Sequence, residues 1–167
     1  MEYKMKDVEH KTKSGSAFVC SSDEISLHDC RASKIETDAN GLTLVFPDGV
    51  WLLADNRLNT VGKIVRTGRA EVLLRHSEFE ALTVFKPVRF FRRTLFSACR
   101  EVSFETLREN VNGGKWTVEF IDDFNNADSH LFRVMLWSKK KQCDCLFVVS
   151  YERFEARFDE IQQNRVW

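Results

Sequence analysis

Arg89, Arg92 and Arg93 flank Phe90 and Phe91, and this mixture of guanidinium and ring is the chemically richest stretch of the chain. It lies in a basic segment, 57–100, which holds ten Lys and Arg residues against Glu71, Glu78 and Glu80. The segment carries +7, offset by −4 in residues 1–56 and −3 in 101–167. Basic side chains beside rings can hold single-stranded nucleic acid through phosphate contacts and stacking. They can equally engage an acidic protein, where complementary charge speeds encounter and aromatic anchors supply affinity. The commonest fate of such a stretch is plainer: the rings pack inward and the arginines face water, paired with acids of the flanks. A formal net charge of zero removes any long-range pull toward a polyanion. An acidic protein partner is therefore expected ahead of nucleic acid.

His28-Asp29 is the second candidate, since a histidine oriented by a carboxylate can act as a general base. On a strand, neighbouring side chains point to opposite faces, so the pair is not expected to form a dyad. His28 is read as a strand-entrance residue or a partner contact. Cys143 and Cys145 share a face at strand spacing, but zinc sites favour two to four residues between cysteines and a second ligand pair. Neither pattern is present, and no metal or cofactor is expected. Lys139-Lys140-Lys141 reads as a solvated hairpin tip. The chain contains no Gly-rich phosphate loop, HExxH or GxSxG motif, which argues against the common enzyme classes.

The elements that must carry these residues read as strands. An imperfect alternation over Ala32–Asp38, the turn Asn40-Gly41 and the return strand Leu42–Phe46 form a hairpin. Pro47-Asp48-Gly49 is a second turn, from which Val50–Ala54 continues the meander. Lys63–Arg66 and Ala70–Arg75 read as another hairpin about Thr67-Gly68, followed by strands Leu82–Lys86 and Val88–Phe96. Ser103 is placed to cap a short helix, Phe104–Asn110, stopped by Asn112-Gly113-Gly114. Strands then recur at Lys115–Ile121, His130–Ser138 and Cys143–Tyr151. Asp122–Ser129 reads as a polar turn, and Glu152–Ile161 as a strand in preference to a helix. About nine strands with one short helix predict a mainly β fold, an antiparallel β-sandwich or a partly open barrel. The expected core includes Leu42, Leu44, Phe46, Trp51, Val118, Phe120, Leu136, Phe147 and Val149.

At 167 residues, with 43% hydrophobic and 30% charged residues, the chain fits one globular domain. Residues 1–16 form a polar arm ahead of a single β-rich domain at 17–167. The N-terminus has no apolar stretch of a signal peptide, and no run reaches the length of a membrane span. Five cysteines, an odd number, fit reduced thiols in a cytoplasm. The fourteen phenylalanines either fill a core or line a pocket, and a lined pocket would indicate a small-ligand-binding barrel.

Leu27-His28-Asp29-Cys30, followed by Ile35 and the hairpin LTLVFPDGVWL, resembles the opening of small bacterial β-rich proteins with a Leu-His-Asp-(Ala/Cys) motif. The ending Tyr151–Ile161 (YERFEARFDEI) is similar to theirs as well. Some of those proteins are grouped with the immunity proteins of polymorphic toxin systems. The resemblance implies a non-catalytic cytoplasmic protein that binds and blocks a toxin, and it carries over no catalytic residue. With the charge pattern, it makes Arg89, Phe90, Phe91, Arg92, Arg93 and His28 the candidate partner-binding residues. A ligand-binding barrel and a nucleic-acid binder acting through 57–100 are the alternatives.

Overall fold

The computed structural model describes residues 17–91, 93–126, 129–139 and 141–167; the polar arm at 1–16 lies outside them. Short strands open the chain: β1 (Phe18–Cys20), β2 (Ile25–Ser26) and β3 (Cys30–Ala32). β4 (Lys34–Asp38) and β5 (Gly41–Phe46) form the expected hairpin, Lys34 opposite Val45 through Asp38 opposite Gly41. Gly41 has φ 131° and a Cβ there would strike the Leu74 carbonyl, so the turn needs glycine for both conformation and space. β6 (Trp51–Leu52), β7 (Val65–Thr67) and β8 (Ala70–Arg75) follow. Next come β9 (Glu78–Phe90), β10 (Arg93–Glu101), α1 (Phe104–Asn112), β11 (Trp116–Asn126), β12 (Ser129–Ser138) and β13 (Gln142–Ser150). β14 (Arg153–Phe158) and β15 (Ile161–Val166) complete the order.

The fold is mainly β, as the alternation implied, with antiparallel sheets and no closed barrel. A five-stranded sheet, β1-β14-β8-β5-β4, faces a six-stranded sheet, β10-β9-β13-β12-β11-β3, and a smaller sheet, β15-β7-β6-β2, flanks them. Inward residues of both large sheets interlock. Phe46 meets Phe120 at 5.6 Å between ring centroids, Phe120 meets Phe132 edge-on at 5.3 Å, and Phe132 stacks on Phe147 at 6.0 Å. The row continues through Phe79 to Phe104 of α1 at 5.2 Å, so the helix closes one side of the sandwich. Much of the phenylalanine surplus is thereby core. Of the nine residues expected inside, all are buried except Trp51, which is half-buried against the core.

Pairing departs from the expected meander in several places. Val50–Ala54 supplies only the short β6, which leaves the β4–β5 sheet for the small one. The Pro47-Asp48-Gly49 turn is a corner: Val50 N–H donates to Thr67 Oγ1 and Thr67 N–H to the Val50 carbonyl, both at 2.9 Å. β7 and β8 are both strands yet do not pair. Thr67 is fully buried and Gly68 N–H bonds the Glu160 carbonyl, so the chain switches sheets there, and β8 runs between β5 and β14. Ser33 likewise splits the 32–38 alternation between two sheets, its N–H reaching the Val45 carbonyl. Val88–Phe96 is not one strand, because the chain reverses at Phe91, whose φ is 44°. β11 runs on through the expected polar turn to Asn126, in register with Ser129. Glu152–Ile161 is strand as expected, divided between β14 and β15. α1 begins at its Ser103 cap, which accepts from Thr106 N–H, and runs to Asn112.

Candidate protein-binding surface

The arginine–phenylalanine stretch forms the end of a β-ribbon. β9 and β10 pair from Thr83 opposite Glu101 to Phe90 opposite Arg93, and the chain reverses at Phe91. β13 pairs with β9 only as far as Phe85. Val102 N–H donates to the Leu82 carbonyl, so the odd-numbered residues of β9 direct their backbone groups toward β13. Pro87 falls on that side without an N–H to offer, and β13 pairing stops short of it. Past this point no third strand joins the ribbon among the described residues. Phe91 at its tip is 85% exposed. Arg89 is opposite Thr94 in register; the side chains of Arg89 and Phe90, and Arg92 entirely, lie outside the described residues.

The +7 segment does not make one patch. Arg66 is buried in the small sheet, its guanidinium 4.5 Å above Trp51 and its Nε–H donating to the Asp48 carbonyl. Arg69, in the bend before β8, pairs with Glu71, and Arg75 pairs with Glu155 from the C-terminal flank. Lys86, Arg93 and Arg100 belong to the ribbon strands and are exposed. Among the described residues no carboxylate is within ion-pair distance of these three.

His28 is at the opposite edge of the same sheet, beside β3, and toward its opposite end. Ribbon and histidine therefore do not form a common site. His28 and Asp29 occupy a turn instead of a strand, because Asp29 has φ 55°, and the turn brings His28 Nε2 to 3.5 Å from Asp29 Oδ2. This corrects the expectation that their side chains diverge. Nδ1–H donates to the Ile121 carbonyl at a register shift in β11. The ring stacks on Trp167 at 5.2 Å and 8°, and Trp167 meets Trp51 at 5.2 Å. With one nitrogen held by backbone and the other facing Asp29, the imidazole fastens the turn to β11. The Cys30 thiol behind it is raised to about 11 by burial, and it stays protonated and poorly nucleophilic at neutral pH. Cys143 and Cys145 do share the inward face; Cys145 is buried, which pushes its thiol up to about 12.

The surface that sequence reasoning missed is the outer face of the six-stranded sheet. Cross-strand register aligns Phe124, Leu131, Val148 and Ala81 in one row. Arg133, Leu146 and Thr83 form the next, and Met135, Asp144 and Phe85 the one after. Leu131, Met135, Leu146, Val148 and Phe85 are partly exposed and stand outside the core cluster. Phe124 is 57% and Trp137 36% exposed. In the middle, Arg133 bonds both Asp144 oxygens at 3.1 Å and lies 3.8 Å from Asp122. Toward β3, Trp137 Nε1–H donates to Glu119, whose other oxygen holds Arg31 at 2.9 Å, with the Arg31 guanidinium 5.1 Å over the indole. The other large sheet is different: outside it, Glu155 gathers Arg75, Arg153 and Arg157. A solvated sheet face alternates to polar residues; that one does so in large part, with Val45 and Leu73 as apolar exceptions, whereas the six-stranded sheet keeps apolar residues in every row of both faces. The signal was present in HLFRVMLW and CLFVV, which are apolar at both strand parities.

No family model matches the chain, and neither a curated protein nor a solved structure does.

Proposed function

We propose that the chain is a non-catalytic protein-binding module, of the immunity type that its Leu-His-Asp-Cys opening suggests, acting in the cytoplasm on an acidic protein partner. The observation that carries this reading is the outer face of the six-stranded sheet. Its partly exposed apolar side chains, Leu131, Met135, Leu146, Val148 and Phe85, surround the Arg133 ion pairs, so that apolar contact area and fixed polar groups lie side by side, as they do in a protein interface. Trp137 and Phe124 are the anchors such a surface uses. The unpaired bases Lys86 and Arg93 lie on the ribbon beyond the apolar rows, on the sheet's other side by strand alternation, and favour an acidic partner that reaches around to the ribbon. The core positions of the phenylalanines weigh against a ligand barrel. Among the described residues, a cleft of about 490 Å³ between α1 and β4 has a mostly charged and polar lining, and one of about 270 Å³ beside His28 sets Phe120, Phe124 and Phe132 against Ser26, Asp122 and Asp123.

The test is capture from the source lysate with three baits: wild type, Leu146→Glu and His28→Ala. A protein retained by wild type and His28→Ala but lost by Leu146→Glu supports the reading. Retention that ignores Leu146→Glu sinks it. Submicromolar binding of labelled oligonucleotides at physiological salt, abolished by Arg89/Arg92/Arg93→Ala, would put nucleic acid in place of a protein.

A further inference from the structure

Among the described residues most sheet edges are blunted, and β10 is the long outer strand that is not. β1, β2 and β3 are two or three residues long. β4 is covered by α1, whose Asn112 amide accepts from Ile35 N–H and donates to the Ile35 carbonyl, each at 2.8 Å. β15 has an irregular register and a polar, exposed end. β10 runs nine residues, and Thr94–Cys99 contains neither charge nor proline, the usual protections of an edge. Val102 and Leu82 form a hydrogen-bonded pair, so alternation makes Arg100–Val84 and Ala98–Lys86 the bonded pairs with β9. The backbone groups of Ser97, Cys99 and Glu101 then point away from the sheet. All five residues of Ser97–Glu101 are exposed, and they lie on the regular side of the register shift between Thr94 and Phe96.

We infer that β10 pairs antiparallel with β10 of a second copy about Cys99, joining two six-stranded sheets into one continuous sheet. The occupant follows from charge. The tip end of the strand carries Arg93, and the other end carries Glu101 and, at the first turn of α1, Glu105. All three are exposed without an ion-pair partner among the described residues. Antiparallel pairing about Cys99 exchanges the two ends. Arg93 of each copy runs beside Glu105 of the other, Ser97 faces Glu101, and Ala98 faces Arg100. No like charges oppose one another, and the small residues Ser97, Ala98 and Cys99 allow close approach at the twofold axis.

Sedimentation equilibrium and light scattering on the whole chain, over a micromolar to submillimolar range, test this. Wild type and Cys99→Ser are expected to dimerise with concentration. Cys99→Lys, which sets two ammonium groups on the axis at an exposed position, is expected to stay monomeric with an unchanged unfolding midpoint. Glu105→Lys and Arg93→Glu are each expected to weaken the dimer, and an equimolar mixture of the two to restore it as a heterodimer. A monomeric wild type throughout the range, or a dimer indifferent to Cys99→Lys, overturns the inference. Leu146→Glu is expected to leave the dimer intact, so failure here and failure of the partner-binding face are separable.

Discussion

His130, at the start of β12, lies 4.2 Å from Tyr151 and 6.0 Å from Phe132 by ring centroids. Burial holds its imidazole below the ordinary value of 6.5, with Asp123 opposing in part. Between the lowered folded value and 6.5 the unfolded chain binds more protons. Stability is therefore full above about 6.5 and falls as pH drops through that window. Glu155 acts in a different range: the hydrogen bond from Arg157 lowers its carboxyl, and its contribution is lost only as pH falls below 4.5. The unfolding midpoint is expected to decline as pH falls below about 6.5, and His130→Gln to flatten that decline; an unchanged slope in the variant would assign it elsewhere. The thiols divide by burial in the same way. Cys99 is exposed, Cys143 half-buried, and Cys20, Cys30 and Cys145 buried, with burial raising all three buried thiols. Since the thiolate is the reactive form, a maleimide at neutral pH is expected to label Cys99 first and the buried three only on unfolding. Mass spectrometry after brief labelling gives the order, and early modification of Cys30 or Cys145 would contradict it.

Among the elements, those set by local chemistry were legible and those set by distant pairing were not. Asn40-Gly41 announces its hairpin, in which Gly41 takes the positive φ, and Ser103 with Gly113 brackets α1 by ordinary capping. The reversal at Phe91 carries no such residue, so a run of β-formers reads straight through it. β7 and β8 look like a hairpin locally, yet Thr67 is buried where two sheets meet, and only their partners β15 and β14, about ninety residues on, decide the pairing. The docking of α1 on β4 is equally non-local: the Asn112 amide brackets the Ile35 backbone and Arg108 donates to Thr37. Asn112→Ala removes both bonds to Ile35 and uncovers an edge strand. It is expected to cost about 1–3 kcal/mol in denaturant unfolding with little change in the slope. A loss no greater than that of an exposed alanine substitution would show that the brace carries nothing.

At the scale of the molecule, a row of phenylalanines from Phe46 to Phe104 ties two sheets and a helix into one core. Phe120 is its centre, 1% exposed and in contact with Phe46 and Phe132. Phe120→Ala is expected to cost about 3–5 kcal/mol; an unmoved urea midpoint would refute that placement. Of the site, the ribbon residues were legible as a basic aromatic stretch, and His28 as a marked residue. Their separation to opposite edges of one sheet was not, because strand order is invisible in local pattern. The apolar outer face was legible only in part. β12 and β13 are apolar at both parities, but a sequence does not say whether the second face is covered by another element or left for a partner. The central claim is that this face receives a protein. It is tested most directly by calorimetric titration of the captured partner, once purified, into wild type, Leu146→Glu and His28→Ala. A carboxylate at the middle of the face is expected to weaken binding by at least about 30-fold, the effect of losing a hot spot worth about 2 kcal/mol, while His28→Ala changes it by less than about threefold. Equal affinities for wild type and Leu146→Glu would contradict the claim.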